Sequence, residues 1–385
     1  MARSMTWLLA ALGLWYAAPA WAQSDTVLRT EAAKLRVVTI AKGLDNPWAI
    51  AFLPNDRLLV TERPGRMRVI GKDGKLSAPL KNVPEVFHSG QGGLLDVILD
   101  PDFATNRTIY FTYAEPGPET ERESGPDTGA RDGAGTALAR ARFAETELQD
   151  VEVLFRQQPK LTGGNHFGSR VVVGSDGKLW LGMGERFRFD PAQDLSNDLG
   201  KIVRLNKDGS IPPDNPFVDQ EGARPEIWSY GHRNIQGLAV NPMTGVVWES
   251  EHGAKGGDEI NIPEKGRNYG WPVIAYGVHY SGEKIGIGTE APGMEQPLYY
   301  WVPSIAPSGM AFYTGSKLPA WKNNLFIGSL KFGTLHRLVL DGTKVVREER
   351  INLGADIRDV RNGPDGYLYV ATRNDGRILR LEPAK

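Results

Sequence analysis

The chain has 385 residues, 45 basic and 46 acidic side chains, and a formal net charge of −1 at pH 7. That balance leaves no electrostatic footprint for nucleic acid or an anionic membrane and points to small ligands. There is no cysteine, so no disulfide contributes to the fold and the redox compartment stays open.

In chain order, Arg3, the apolar run Trp7 to Ala18 and the triplet Ala20-Trp21-Ala22 read as a secretory leader, residues 1–22, cleaved before Gln23. The run falls short of the ~20 residues that a membrane-spanning helix needs. No membrane insertion is expected, and the mature protein, residues 23–385, is read as exported, periplasmic and soluble.

One unit then recurs six times. Trp48 to Phe52 is an apolar strand, Pro54-Asn55-Asp56 a turn and Leu58 to Val60 a second strand. Leu94 to Leu99, Asp100-Pro101-Asp102 and Thr108 to Tyr113 repeat it, as do Val171 to Val173, Gly174 to Gly177 and Leu179 to Met183. The fourth copy runs from Gly237 to Trp248 around Asn241 to Gly245. The fifth joins Gly309 to Tyr313 with Leu325 to Ile327, and the sixth spans Ile357 to Val370. Basic third strands such as Arg66 to Ile70, Leu335 to Leu338 and Arg377 to Leu381 alternate as strands with one wet face do. These units predict an all-β fold, a single-domain six-bladed β-propeller of four-stranded antiparallel blades. Leu35 to Ile40 is expected to pair with the last blade and close the ring. Glu115 to Thr136, dense in Gly, Pro, Glu and Asp, reads as a mobile excursion.

In the third unit His166 precedes the first strand and Glu185 follows the second, so an antiparallel hairpin brings them to one end. Taken alone, this fits a surface His beside a surface Glu as well as an acid–base pair. The residues entering the innermost strands, about ten before each first turn, include Gln91, His166, Arg233-Asn234 and the Asp356 to Arg358 neighbourhood, which ring symmetry gathers at one mouth. Arg233, Arg358 and Lys331 suggest an anionic ligand, because guanidinium forks pair with carboxylates. The loop Ser250 to Glu259, followed by Asn268 to Pro272, has the oxygens and glycines that suit a hard cation such as Ca²⁺, and equally those of a solvated loop.

Five stretches in this order, Gln91 to Leu95, Asn165 to Arg170, Gly231 to Leu238, Ser250 to Asn261 and Asn268 to Pro272, resemble the soluble quinoprotein sugar dehydrogenases, the aldose sugar dehydrogenase and soluble glucose dehydrogenase family. The likeness runs from about Leu35 to the end. It implies pyrroloquinoline quinone (PQQ) and Ca²⁺ as cofactors. The implied reaction oxidises the anomeric C1 hydroxyl of an aldose to the lactone by hydride transfer to the quinone, with an external electron acceptor left unidentified. By position it implies His166 as general base, with Glu185 orienting it where the family usually has Asp. Gln91, Arg233, Asn234, Lys331 and Arg358 match cofactor-holding residues, and Trp301 matches the aromatic bordering the sugar. The Gly253 and Ala254 carbonyls match those on the cofactor's Ca²⁺, and Glu259 and Tyr269 match a second Ca²⁺ site. Two departures stand out. Asp356 replaces an arginine of the glucose dehydrogenases, and His279 stands near a place where the family can have an acidic metal ligand. The competing readings are a Ca²⁺-dependent lactonase or hydrolase propeller and a non-catalytic carbohydrate-binding propeller that stacks sugars on Trp271, Tyr300 and Trp301.

Overall fold

The six expected units fold as six antiparallel sheets. The structure is a computed structural model that describes residues 26–117 and 133–384. The leader assigned to residues 1–22 lies outside the described residues, as does the centre of the Glu115 to Thr136 segment. Both ends of that segment are strand rather than loop, because Glu115 pairs with Gly135 and Gly117 with Gly133.

Blade one is Pro47–Leu53, Arg57–Glu62 and Arg66–Ile70. Blade two is Leu94–Leu99, Thr108–Gly117, Gly133–Phe143 and Leu148–Arg156. Blade three is Gly168–Val173, Leu179–Met183, Lys201–Leu205 and Ile227–Tyr230. Blade four is Ile235–Val240, Val247–Glu251, Asp258–Asn261 and Tyr299–Trp301. Blade five is Pro307–Phe312, Leu325–Ser329, Thr334–Asp341 and Lys344–Asn352. Blade six is Ile357–Asn362, Leu368–Thr372 and Arg377–Pro383.

Lys34–Ala41 adds to the outside of blade six, with Leu35 opposite Pro383 and Val37 opposite Leu381, and Thr26–Arg29 pairs beyond it. Ring closure is therefore as expected. Four blades have four strands, the first has three and the last, with its two N-terminal strands, has five. Among the described residues, helix is confined to Phe103–Asn106 and two short 3-10 turns. None is long and apolar enough to cross a membrane.

The core is distributed between blades rather than gathered at a centre. Trp48, Leu59, Leu94 and Phe111 pack blade one on blade two, whereas Leu35, Phe326, Ile357 and Leu379 pack blade five on blade six. Leucine, alanine and aromatic residues supply most of these wedges, and strands such as Leu179–Met183 and Leu325–Ser329 are buried along their whole length, as burial on both faces requires.

The axis is filled by charge. Arg170 of blade three contacts Asp96 of blade two at 3.2 Å and Asp359 of blade six at 2.9 Å. Arg361 bridges the same two carboxylates at 2.6 and 2.9 Å. The Arg170 guanidinium also lies 4.2 Å from the Trp48 ring centroid, a cation–π contact with blade one. This network plugs the channel across four blades.

Candidate active site

The third-blade hairpin sets the first pair of groups. Gly168 lies opposite Met183, which brings the residues flanking the two strands together. His166 Nδ1 is 3.0 Å from Glu185 Oε1, and both side chains are buried. A carboxylate only accepts, so Nδ1 carries the proton and the lone pair is left on Nε2. The second carboxylate oxygen, Oε2, accepts from the Arg188 backbone N–H at 2.8 Å. The methylene by which Glu exceeds Asp is thus accommodated without a stretched hydrogen bond. Burial lowers the His166 pKa below its ordinary 6.5, against the pull of Glu185, and the charges of Arg233 and Arg186 act in the same direction as burial. The imidazole is neutral at neutral pH, the state that accepts a proton.

Its backbone is held equally firmly. The His166 N–H donates to Gln91 Oε1 at 2.9 Å. The buried Arg186 donates from Nε to the Asn165 carbonyl at 2.9 Å and from its Nη atoms to Gly163 and Ala134. His166 itself has φ of 51° and Ser169 of 92°, sparsely populated for such residues.

Beside this pair is a cavity of about 330 Å³, lined among others by Trp48, Arg63, Gln91, Gln236, Lys331, Arg358 and Arg373. Among the described residues, no Asp or Glu lines it. Arg358 is buried, donates from Nη1 to Gln236 Oε1 at 2.8 Å and packs 5.5 Å from the Trp48 ring. Burial, and then repulsion from Arg373, Arg170 and Arg63, pulls the Arg358 guanidinium well below its ordinary pKa. Among the residues that line the cavity, Arg63 Nε and Arg358 Nε are buried without hydrogen-bond partners. Both are donors. Donors without partners and a lining with cations and no acids fit an anionic ligand rich in acceptor oxygens, as a quinone tricarboxylate is.

Asp356, which stands where an arginine was expected, turns to Arg373 Nη2 at 2.7 Å and is outside the cavity lining. Arg373 itself lines the cavity, so a guanidinium is restored from the neighbouring strand.

A second, smaller cavity of about 20 Å³, the size of one ion or water, is lined by residues including Arg233, Glu251, Gly253, Ala254, Glu259 and Tyr269. Asn261 donates to Glu249 at 2.7 Å and to Glu259 at 3.4 Å. Burial first, then repulsion from Glu251, raises the pKa of both Glu249 and Glu259 well above the ordinary value. Buried acids that cannot all ionise together suit a hard cation. Two details bear on that fit. Arg233 Nη1 donates to the His252 and Gly253 carbonyls, so one expected metal-binding oxygen already has a donor. The Tyr269 phenol is engaged by the Ile262 carbonyl and the Glu264 N–H, which leaves its main-chain oxygen for a metal.

Of the residues expected at the site, Gln91, Lys331 and Arg358 meet at the larger cavity, and Arg233, Gly253, Ala254, Glu259 and Tyr269 at the smaller. His166 and Glu185 line neither, although Phe167 and Gly168 next to His166 line the larger, and Asn234 also lines neither. It sits behind them, its Oδ1 accepting from the Gly168 N–H at 3.1 Å. Trp301 is not brought to either cavity. It is buried, and its indole N–H donates to Glu348 at 2.9 Å in the core between blades four and five. Strand alternation turns its neighbour Tyr300 outward instead, stacked on Tyr276 at 3.9 Å. His279 packs 5.6 Å from Phe189 and is not among the residues lining the smaller cavity.

Sequence reasoning missed Arg63, Arg373 and His252. His252 lines both cavities and donates from Nε2 to the Pro307 carbonyl at 2.7 Å, and burial pulls its pKa down to about 3. The three share a signal, because each follows the second strand of its blade, as Glu185 and Lys331 do.

Fold and site together define a propeller with a buried, neutral histidine beside a cation-lined, carboxylate-free cavity. Residues 44–380 match the family model described as glucose/sorbosone dehydrogenase. The chain belongs to that family. It is 47% identical over 367 residues to the aldose sugar dehydrogenase YliI of Escherichia coli K12, covering 93% of this chain and 96% of that one. The apo crystal structure of the soluble aldose sugar dehydrogenase from Escherichia coli superposes with a TM-score of 0.85 at 47% identity, covering 91% of this chain and all (100%) of that one. The PQQ-bound aldose sugar dehydrogenase from Streptomyces coelicolor superposes at 0.72 with 30% identity, covering 91% and 98%.

Proposed function

We propose that His166 is the general base of a quinoprotein sugar dehydrogenase, taking the proton from an aldose's anomeric hydroxyl as C1 is oxidised to the lactone. The chain is an oxidoreductase that uses PQQ to oxidise sugars. PQQ, when bound, supplies an electrophilic carbonyl that accepts the hydride.

This chain's residues do the rest. Arg63, Arg358, Arg373 and Lys331 would hold the cofactor's carboxylates. Gln91 fixes the His166 main chain and Glu185 fixes its tautomer, so the Nε2 lone pair is ready for the substrate proton without reorganisation. The neutral His252 adds no positive charge of its own. The Gly253 and Ala254 carbonyls would hold the cofactor's Ca²⁺, with Arg233 yielding the Gly253 carbonyl, and Glu259 with the Tyr269 main-chain oxygen would hold a second Ca²⁺ beside it. The leader read at residues 1–22 supports export to the periplasm.

The observation that carries this reading is the buried His166–Glu185 pair at 3.0 Å beside a cavity with cations and no acids. The test is reconstitution. Purified apo-protein is mixed with PQQ, Ca²⁺, D-glucose and an artificial electron-accepting dye. Dye reduction that needs both PQQ and Ca²⁺ is the expected outcome. Lactone hydrolysis without quinone, or sugar binding with no dye reduction under any combination, contradicts it.

A further inference from the structure

We infer that Phe187 is the platform on which the sugar ring lies while its anomeric hydroxyl faces His166. The inference rests on the sugar-oxidising reading above and gives the same site a specificity-determining residue.

Phe187 meets the His166 ring edge-on, with centroids 5.1 Å apart at 80°. It is nonetheless 37% exposed. Phe187 lines neither cavity, but a molecule whose hydroxyl reaches the His166 ring has this phenyl as a neighbour. Pyranoses present an apolar face of C–H groups as well as a rim of hydroxyls, and an open aromatic ring is the surface that face recognises.

The backbone gives a second, independent reason. Phe187 has φ of 61°, the preceding Arg186 has 58° and Phe189, two residues on, has 65°. Glycine adopts this region freely, whereas a bulky side chain does so at a cost. A phenyl kept in that conformation while still partly in water is not there for the core. Its orientation is fixed from behind, because Phe189 packs on it at 5.5 Å and is itself held by Trp271 at 5.3 Å and His279 at 5.6 Å. His279 and Trp271 thus act as buttresses of the aromatic wall, a part in which His279 needs no acidic counterpart.

The backbone conformation makes the test sharp. Phe187→Gly removes the ring and relieves the positive φ, so the fold should be as stable or more so. In the PQQ- and Ca²⁺-loaded enzyme the KM for D-glucose should rise about tenfold or more, with kcat changed far less, the pattern of lost uniform binding. Phe187→Tyr, which keeps the ring, should restore the low KM. Calorimetric titration of D-glucose into the same proteins gives the affinity loss independently of turnover. An unchanged KM and affinity in Phe187→Gly, or a fall in its thermal midpoint showing that the ring serves packing, would overturn the inference. Wild-type protein that binds the sugar in a Phe187-dependent way yet never reduces dye would instead fault the catalytic reading.

Discussion

At His166 the chemistry depends on two opposing influences. Burial and neighbouring guanidinium groups favour the neutral ring, and Glu185 favours the imidazolium. Because the neutral ring is the active form, kcat/KM should stay level as pH falls past 6.5 and drop only through the lower pKa of the folded enzyme. Glu185→Gln removes the charge that stabilises the imidazolium, so the acid limb should move to still lower pH. With the tautomer no longer fixed, kcat should fall roughly 10–100-fold, as loss of an orienting partner commonly does. A pH–rate profile of both proteins checks this, and an acid limb moving upward in the variant contradicts it. The Glu185 partnership was legible in the sequence because a hairpin fixes which residues meet. Arg63 and Arg373 were not found because only residues entering the innermost strands were counted. The residues leaving the second strands reach the same mouth, and that half of the antiparallel geometry supplies two arginines, His252, Lys331 and Glu185.

At the scale of a strand, the six innermost strands share a feature that alternation does not reveal. Each breaks register within its first few residues, between Pro47 and Ala49, Leu94 and Val97, Gly168 and Val171, Ile235 and Gly237, Pro307 and Met310, and Ile357 and Asp359. A bulge re-aims the side chains next to it. In blade six Arg358 reaches the cavity while Asp359 and Arg361 join the axial network. Strict period-two reading assigns those positions to faces without the bulge, which is why the carboxylate Asp359 and its partner Arg170 went unnoticed. The closing strand was readable, since Leu35 to Ile40 is an apolar run with no partner among the six units. Leu35 is fully buried against blades five and six. Leu35→Ala should cost roughly 2–5 kcal/mol, the range for truncating a buried leucine. Urea unfolding with an unchanged slope measures it, and a cost near zero would mean that the strand does not hold the ring shut.

At the scale of the whole ring, stability and function share the axis. Arg170, Arg361, Asp96 and Asp359 link three blades in the interior, and the cation-lined cavity lies alongside. A buried network of this kind fixes arrangement more than it adds net energy, but removing one partner leaves a charge stranded. Asp359→Asn should therefore destabilise by about 3–5 kcal/mol, seen as a lower urea midpoint. Wild-type stability in that variant would show that the network is not required. The same placement suits an anionic ligand, because carboxylates relieve cations that repel one another across the cavity. Composition and spacing could announce the propeller and its mouth. They could not announce that Trp301 packs inward and Phe187 outward, because that depends on strand direction and on a loop with three residues in the left-handed region.

His166 is proposed to accept the substrate proton without holding the cofactor. The decisive experiment is His166→Gln, with PQQ binding followed by spectral titration and sugar oxidation by dye reduction in the same Ca²⁺-loaded sample. The expected result is PQQ affinity within a few-fold of wild type and turnover lower by roughly 10²–10⁴, the usual worth of a general base. Wild-type turnover in His166→Gln, or loss of PQQ binding that accounts for the whole defect, would contradict it.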